Sequence, residues 1–145
     1  MNFCGLSEKF LEDAKRIGTY DPNMPLQFRV MAKVLMDNDY VTARALLEAN
    51  RGEFDGEYGY EVLDTAVEMC LNITDEYIVD GRRVKRPVPE TVEFIDYLLK
   101  NGANPNLPKH FNQIEHINDV EEDSSHQCRC EFDCSEIRNL LNGYM

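Results

Sequence analysis

The sequence lacks any run of about 18 apolar residues, the length that a transmembrane helix needs. Its first nine residues contain neither the basic segment nor the apolar core of a secretory signal. The second residue is Asn2 rather than the glycine that N-myristoylation requires. From these absences we expect no membrane association and a cytoplasmic location.

Basic residues are scarce: 15 Lys and Arg stand against 27 Asp and Glu, giving a net charge of −12 and a pI near 4.6. Nucleic-acid binding depends on basic groups that neutralise phosphates, so we expect no direct contact with nucleic acid. Anionic membrane surfaces are disfavoured for the same reason. The charge favours a protein partner with a basic surface, although acidity that serves only solubility explains it equally well.

Sequence motifs of catalysis are missing as well. There is no Gly-x-Gly-x-x-Gly and no phosphate-cradling Gly-Lys-Ser/Thr. None of the five cysteines stands in the strand–turn–helix context of an activated nucleophile. The acidic run 121–123 indicates a solvated loop rather than acid–base chemistry in so acidic a chain. We therefore expect no enzymatic activity and no cofactor.

The cysteines are odd in number and no signal peptide precedes them, which favours free thiols over a disulfide framework. One histidine and three cysteines fall within nine residues, at His126, Cys128, Cys130 and Cys134. These are zinc-ligand types, but they are not divided into two separated pairs. We expect a buried Cys134 beside the last helix and no metal. A small metal-binding protein or enzyme that uses this cluster is the alternative from another functional class.

What the sequence contains is a series of amphipathic segments that predict a mainly all-α fold. A short N-terminal helix is expected over 7–18, with Ser7 as its N-cap. The remaining helices are expected in pairs, each pair forming a helical hairpin. The pairs are 26–35 with 40–49, 60–71 with 89–100, and 114–120 with 135–143. A tight polar turn is expected at 37–39, and a polar, cysteine-rich loop is expected before Ser135. Pro89 suits the first turn of its helix, and Asn101-Gly102 is expected to cap the end of that helix.

An inserted β-hairpin is predicted near 77–88, where Asp80-Gly81 is flanked by apolar residues. It carries the basic cluster 82–86. This cluster could form a finger for an acidic partner or a phosphate. We favour the other interpretation, a charged strand edge that prevents aggregation and pairs with the acidic body.

The second helices of the three pairs can be laid over one another. Their double leucines coincide, and an apolar residue stands three positions before each: Ala43 before Leu46-Leu47, Ile95 before Leu98-Leu99, and Ile137 before Leu140-Leu141. Because one pair alone cannot cover its apolar face, we expect the pairs to stack into a single domain over 1–145. Its predicted parts are the N-terminal helix and three repeats at 26–59, 60–111 and 112–145.

The segment 92–106 resembles the end of an ankyrin second helix and the turn that follows it. It has the pattern Leu-Leu-x-x-Gly-Ala-Asn-x-Asn from Leu98 to Asn106. A weaker match covers 59–67, where Leu63 and Ala66 fit the family's repeat opening but its Thr-Pro and His are missing. The resemblance implies an ankyrin-like stack of about three helical hairpins, capped by the N-terminal helix. A plain helical bundle or another helical-hairpin repeat is the alternative.

The resemblance also implies protein binding through a concave surface made by first helices and projecting turns. By position, those turns are 53–60 and 107–111. The candidate partner-binding residues are Phe54, Asp55, Glu57, Tyr58, Tyr60, Lys109, His110 and Phe111. Tyrosines and carboxylates together suit a basic partner, although the aromatic residues could equally fold back onto the core. We expect a monomer that acts as an acidic inhibitor or immunity-type protein against a basic effector. An adaptor or host-targeting ankyrin protein is the alternative.

Overall fold

The computed structural model describes residues 3, 5–16, 26–50, 57–103, 105, 113–128 and 131–144, and only the backbone at 57–61, 113 and 123–128. These residues form seven helices and three short strands, which confirms the mainly helical class. The helices are α1 Glu8–Lys15, α2 Leu26–Met36, α3 Tyr40–Ala49, α4 Glu57–Asn72, α5 Pro89–Lys100, α6 Gln113–Cys128 and α7 Ser135–Asn142. The strands are β1 Thr74–Val79, β2 Arg82–Pro87 and β3 Glu131–Phe132. No helix in the described part is long and apolar enough to cross a membrane.

Local capping explains several helix boundaries. Ser7 accepts a hydrogen bond from the amide of Phe10 at 3.1 Å, as predicted for the start of α1. Between α2 and α3 the chain turns through Asn38, whose φ of 57° is left-handed. Asp39 then caps α3 by accepting from the amide of Thr42 at 3.1 Å. The turn that the sequence predicts at 37–39 is therefore confirmed.

The end of α5 has the glycine cap expected at Asn101-Gly102. Gly102 has a φ of 103°, which L residues rarely adopt. The amide of Ala103 donates to the carbonyl of Leu98 at 3.0 Å, and that of Gly102 donates to the carbonyl of Leu99 at 3.3 Å. This pair of bonds is a Schellman motif, which satisfies two helix-end carbonyls.

The helices contact one another in a regular order. α2 packs on α3, α4 on α5, and α6 on α7; α4 also contacts both α2 and α6, while α5 contacts α7 and α1 contacts α2. The second helices bury most of the apolar positions that the sequence aligns. Their shared apolar positions are buried at Ala43, Leu46, Ile95, Leu98, Leu99, Ile137 and Leu141, and partly buried at Leu47 and Leu140.

The inserted hairpin is confirmed and gains a third strand that the sequence analysis did not predict. β1 and β2 are antiparallel across Asp80-Gly81, whose φ values of 52° and 77° suit a two-residue hairpin turn. β3 pairs with β2 in parallel, with Lys85 opposite Phe132. The order β1-β2-β3 makes β2 the central strand. The interpretation of 82–86 as a strand edge is therefore wrong at Val84 and Lys85, where β3 pairs with the side of β2 that a lone hairpin would leave open.

Candidate protein-binding surface

The turn residues proposed from the ankyrin resemblance lie mostly outside the described residues. Those outside are Phe54, Asp55, Lys109, His110 and Phe111. The backbone alone is described at Glu57, Tyr58 and Tyr60. These three lie in the first turn of α4, so their assignment to a projecting turn is wrong. Extending a helix by one residue fixes only that residue and adds one hydrogen bond, which explains why α4 begins earlier than predicted. Their role in partner binding stays a prediction.

A surface within the described part has the acidic character that the sequence predicts. On α6, Glu115, Asp119 and Glu122 are exposed, and their spacing of four and three residues places them on one side of the helix. The opposite side of α6 is anchored in the core by Ile117, which is fully buried. On the adjacent helix α4, Glu68 is exposed and its carboxylate lies 3.9 Å from the imidazole of His116. We call Glu68, Glu115, Asp119 and Glu122 the acidic surface.

The charge of this surface is not balanced locally. The sixteen residues of α6 include neither lysine nor arginine, and no ion pair joins Glu115, Asp119 or Glu122 to a basic residue within the described ranges. Like charges four residues apart, as at Glu115 and Asp119, weaken a helix by about 0.2–0.5 kcal/mol. Glu115 lies in the first turn of α6, where a negative charge stabilises the helix, but the stability of α6 does not account for Asp119 and Glu122.

Glu121 on the same helix shows the contrasting, structural use of an acid. Its carboxylate accepts hydrogen bonds from the Arg138 guanidinium and, at 3.2 Å, from the amide of Cys134. Arg138 also donates to the side chain of Asn118 at 3.0 Å. Glu121 and Arg138 are both partly buried, and this group fastens α7 to α6.

The outer side of α3 and α5 differs because its charges are interspersed. Asp96 and Lys100 form an ion pair at 2.8 Å one turn apart on α5. The Tyr97 hydroxyl donates to Glu48 at 3.3 Å, and the guanidinium of Arg44 lies 5.2 Å from the centre of the Tyr97 ring. A surface of alternating charge gives a basic partner less to recognise than α6 does.

The basic cluster on β2 pairs with acidic residues, as the favoured interpretation predicted. Arg83 bonds to Glu76 of β1 at 2.7 Å, and Arg86 bonds to Asp133 at 3.1 Å. Arg86 also stacks 5.5 Å from the centre of the Tyr77 ring. These pairs are solvent-exposed and each contributes little stability.

Of the histidine–cysteine cluster, the structure describes the side chain of Cys134 alone. Cys134 is fully buried at the start of α7, as predicted, and burial raises the pKa of its thiol to about 12. Zinc binds the thiolate form, which this environment disfavours. His126 and Cys128 lie in the last turn of α6, where only the backbone is described, so the loop predicted there is wrong. Cys130 lies outside the described residues.

Cys70 carries a second buried thiol, which the sequence did not single out. Cys70 of α4 is fully buried, and burial raises the pKa of its thiol to about 11 although Thr91 donates a hydrogen bond to its sulfur at 3.3 Å. Neither described cysteine therefore has the depressed pKa of a reactive thiol. The part of the chain that the structure describes contains no group of three His, Cys, Asp or Glu placed to hold a metal ion.

The acidic surface was also missed as a site by sequence reasoning. The spacing of its three α6 acids and the absence of basic residues were visible, but the neighbouring Glu68 becomes part of the surface only when α4 and α6 pack together. Comparison with known proteins adds no relative. No protein-family model, curated protein or solved structure matches this chain.

Proposed function

We propose that this chain is a non-catalytic protein-interaction module that binds a basic protein through the acidic surface, as an inhibitor or immunity-type protein does. The observation that carries the proposal is the unbalanced acidic side of α6. Its charges stand on a helix that is anchored by Ile117, so binding does not have to order a loop before the carboxylates reach a partner.

The scaffold that we propose is an ankyrin-like stack of three helical hairpins. Three features support it: the contacts of α2, α4 and α6 in order, the equivalent buried positions of α3, α5 and α7, and the glycine cap at Gly102. In ankyrin-like stacks the first helix of each pair lines the binding face. The acidic surface lies on α4 and α6, which are first helices.

The charge supplies steering and selectivity more than raw affinity. A net charge of −12 attracts a basic partner over distances limited by ionic screening, about 8 Å at physiological salt. Affinity would then come from apolar anchors. Our candidates for those anchors are Tyr58 and Tyr60, in the first turn of α4, and Phe54 and Phe111, which the sequence predicts in projecting turns.

An effector that binds nucleic acid suits this surface in particular. The α6 carboxylates follow one another by about 6 Å and 4.5 Å along the helix axis, since each residue rises 1.5 Å. Phosphates along one strand of a duplex recur every 3.4 Å of axis. A protein surface built to hold several phosphates therefore meets a row of negative charges, spaced more widely along its axis than phosphates are. We propose that this chain blocks such a surface, and an adaptor role would use the same acids without loss of partner activity.

Titration against the partner tests the proposal. The partner is first identified by cross-linking in an extract of the source cell, and its affinity is then measured by calorimetry. The surface variant is Glu115→Gln, Asp119→Asn, Glu122→Gln. The control variant is Glu12→Gln, Glu93→Gln, Glu131→Gln, which removes three exposed acids elsewhere and leaves the same net charge.

We expect the surface variant to bind about tenfold more weakly or worse, which is about 1.4 kcal/mol, and the control to change affinity by less than about threefold. The difference between the two variants should shrink as salt screens the charges. Equal losses in both variants would show that net charge alone matters, and the proposed surface would be wrong. An inhibitor also abolishes the activity of its partner at equal stoichiometry, whereas an adaptor does not.

A further inference from the structure

Strand β1 leaves one side of the sheet open in the part of the chain that the structure describes. Residues 75–78 are exposed, and Tyr77 and Ile78 rank among the exposed large hydrophobic side chains, at 39% and 72%. Val79 and Arg82 flank a two-residue turn, so they exchange both backbone hydrogen bonds. The alternation along an antiparallel ladder then directs the N–H and C=O groups of Glu76 and Ile78 away from β2. These groups form a template for another strand.

We propose that a second copy of this chain pairs with β1 in antiparallel fashion, so that two three-stranded sheets join into one of six strands. A two-fold axis perpendicular to the sheet relates such copies, and it pairs residues that point to the same face. Three registers use the open groups of Glu76 and Ile78. One centres on Ile78 and places Glu76 opposite Asp80 of the second copy, which like charges disfavour. Another places Glu76 opposite its own copy, which like charges also disfavour. The third centres on Tyr77 and places Glu76 opposite Ile78 of the second copy.

The charges of the hairpin are self-complementary in this third register. Acidic residues lie at its open end, at Asp75 and Glu76, and basic residues lie beside its turn, at Arg82 and Arg83. Antiparallel pairing brings the open end of one hairpin beside the turn of the other. Asp75 of the second copy then lies opposite Val79, whose neighbour on β2 is Arg82. The backbones of Asp75 and Arg82 are then two strand spacings apart, about 10 Å. The two side chains together bridge this distance.

The same charges disfavour a basic peptide as the occupant. The hairpin carries four basic residues (Arg82, Arg83, Lys85 and Arg86) against three acids (Asp75, Glu76 and Asp80). It therefore lacks the acidic character of α6, and the pairing of copies does not depend on the proposed function. It replaces the expectation of a monomer, which took no account of the open strand. Pairing over five residues falls in the class of small interfaces, under about 1,200 Å², so the dimer is weak.

Sedimentation velocity from micromolar to millimolar concentration tests the proposal. The wild-type protein should shift from monomer to dimer over this range. Ile78→Pro removes an N–H that faces the open side and spares the ladder to β2, so it should abolish the dimer. Ile78→Thr keeps that N–H and should retain measurable dimer. Circular dichroism establishes that each variant is folded.

Proline also fixes φ near −65°, so Ile78→Pro changes the backbone of β1 as well as removing the N–H. Exchanging two charges therefore provides an independent test. Arg82→Glu and Asp75→Lys should each weaken the homodimer at least tenfold, and mixing the two variants should restore a heterodimer. A wild-type protein that stays monomeric at millimolar concentration would overturn the proposal, as would Ile78→Pro that dimerises normally or a mixture that forms no heterodimer. If the wild type were monomeric and Ile78→Pro weakened binding of the basic partner, the open strand would belong to that partner instead.

Discussion

The contact between Tyr40 and Phe94 offers the sharpest test of how the helix pairs fit together. Phe94 of α5 is fully buried, and its ring centre lies 5.2 Å from that of Tyr40 on α3, with the planes tilted by 40°. The two rings therefore join the first helix pair to the second. We predict that Phe94→Leu lowers the free energy of unfolding by about 1–2 kcal/mol, and Tyr40→Leu by about 1 kcal/mol.

The double variant should lose less than the sum of the two changes. Aromatic pairs in this geometry contribute about 0.5–1.5 kcal/mol beyond the area they bury, and this is the coupling that a double-mutant cycle should return. Urea denaturation of the four proteins, followed by circular dichroism, measures it. A matched cycle combines Phe94→Leu with Phe10→Leu on α1, which should be additive within about 0.5 kcal/mol. Additive losses for Tyr40 and Phe94, or equal coupling in both cycles, would refute this packing.

Two further predictions concern the turns that hold the elements together. Hydrogen bonds from Ser135, then from Arg86, lower the pKa of Asp133 from its ordinary 3.8. That stabilisation is complete above the ordinary pKa and is lost as pH falls through the lowered one. Asp133→Asn should therefore cost about 1 kcal/mol at neutral pH and progressively less in acid titrations of stability; a constant difference across that range would contradict it. Gly102→Ala should cost about 1 kcal/mol, since φ is 103° and only backbone strain opposes the methyl group. Gly143→Ala, at a helical φ of −65°, should cost almost nothing, and equal losses in thermal melts of the two variants would contradict the assigned cap.

Local signals made much of the fold predictable. Ser7, the turn at 37–39, Pro89 and the Asn101-Gly102 pair set helix boundaries through caps and backbone conformation, which depend on neighbouring residues alone. Strand β3 escaped prediction because its pairing with β2 joins residues about 47 positions apart, as Lys85 and Phe132 do. The last turns of α6 escaped prediction because their residues carry no apolar periodicity.

The candidate site was predictable in character and not in location. Net charge predicted a basic partner, but the aromatic and acidic residues at 53–60 placed the predicted binding site there and not on α6. Glu115, Asp119 and Glu122 are exposed because Ile117 fixes the orientation of the helix. Glu68 joins them through the packing of α4 on α6, a contact between residues that are distant in sequence. The open strand β1 likewise followed from sheet order, which no local pattern encodes.

Hydrogen–deuterium exchange of the chain, alone and with its basic partner, tests most directly whether the acidic side of α6 is the binding surface. We predict slower exchange on binding at amides of α6 and of the adjoining part of α4, with α5 and α7 unchanged. Protection confined to α3, α5 and α7, with α6 exchanging as in the free protein, would contradict it.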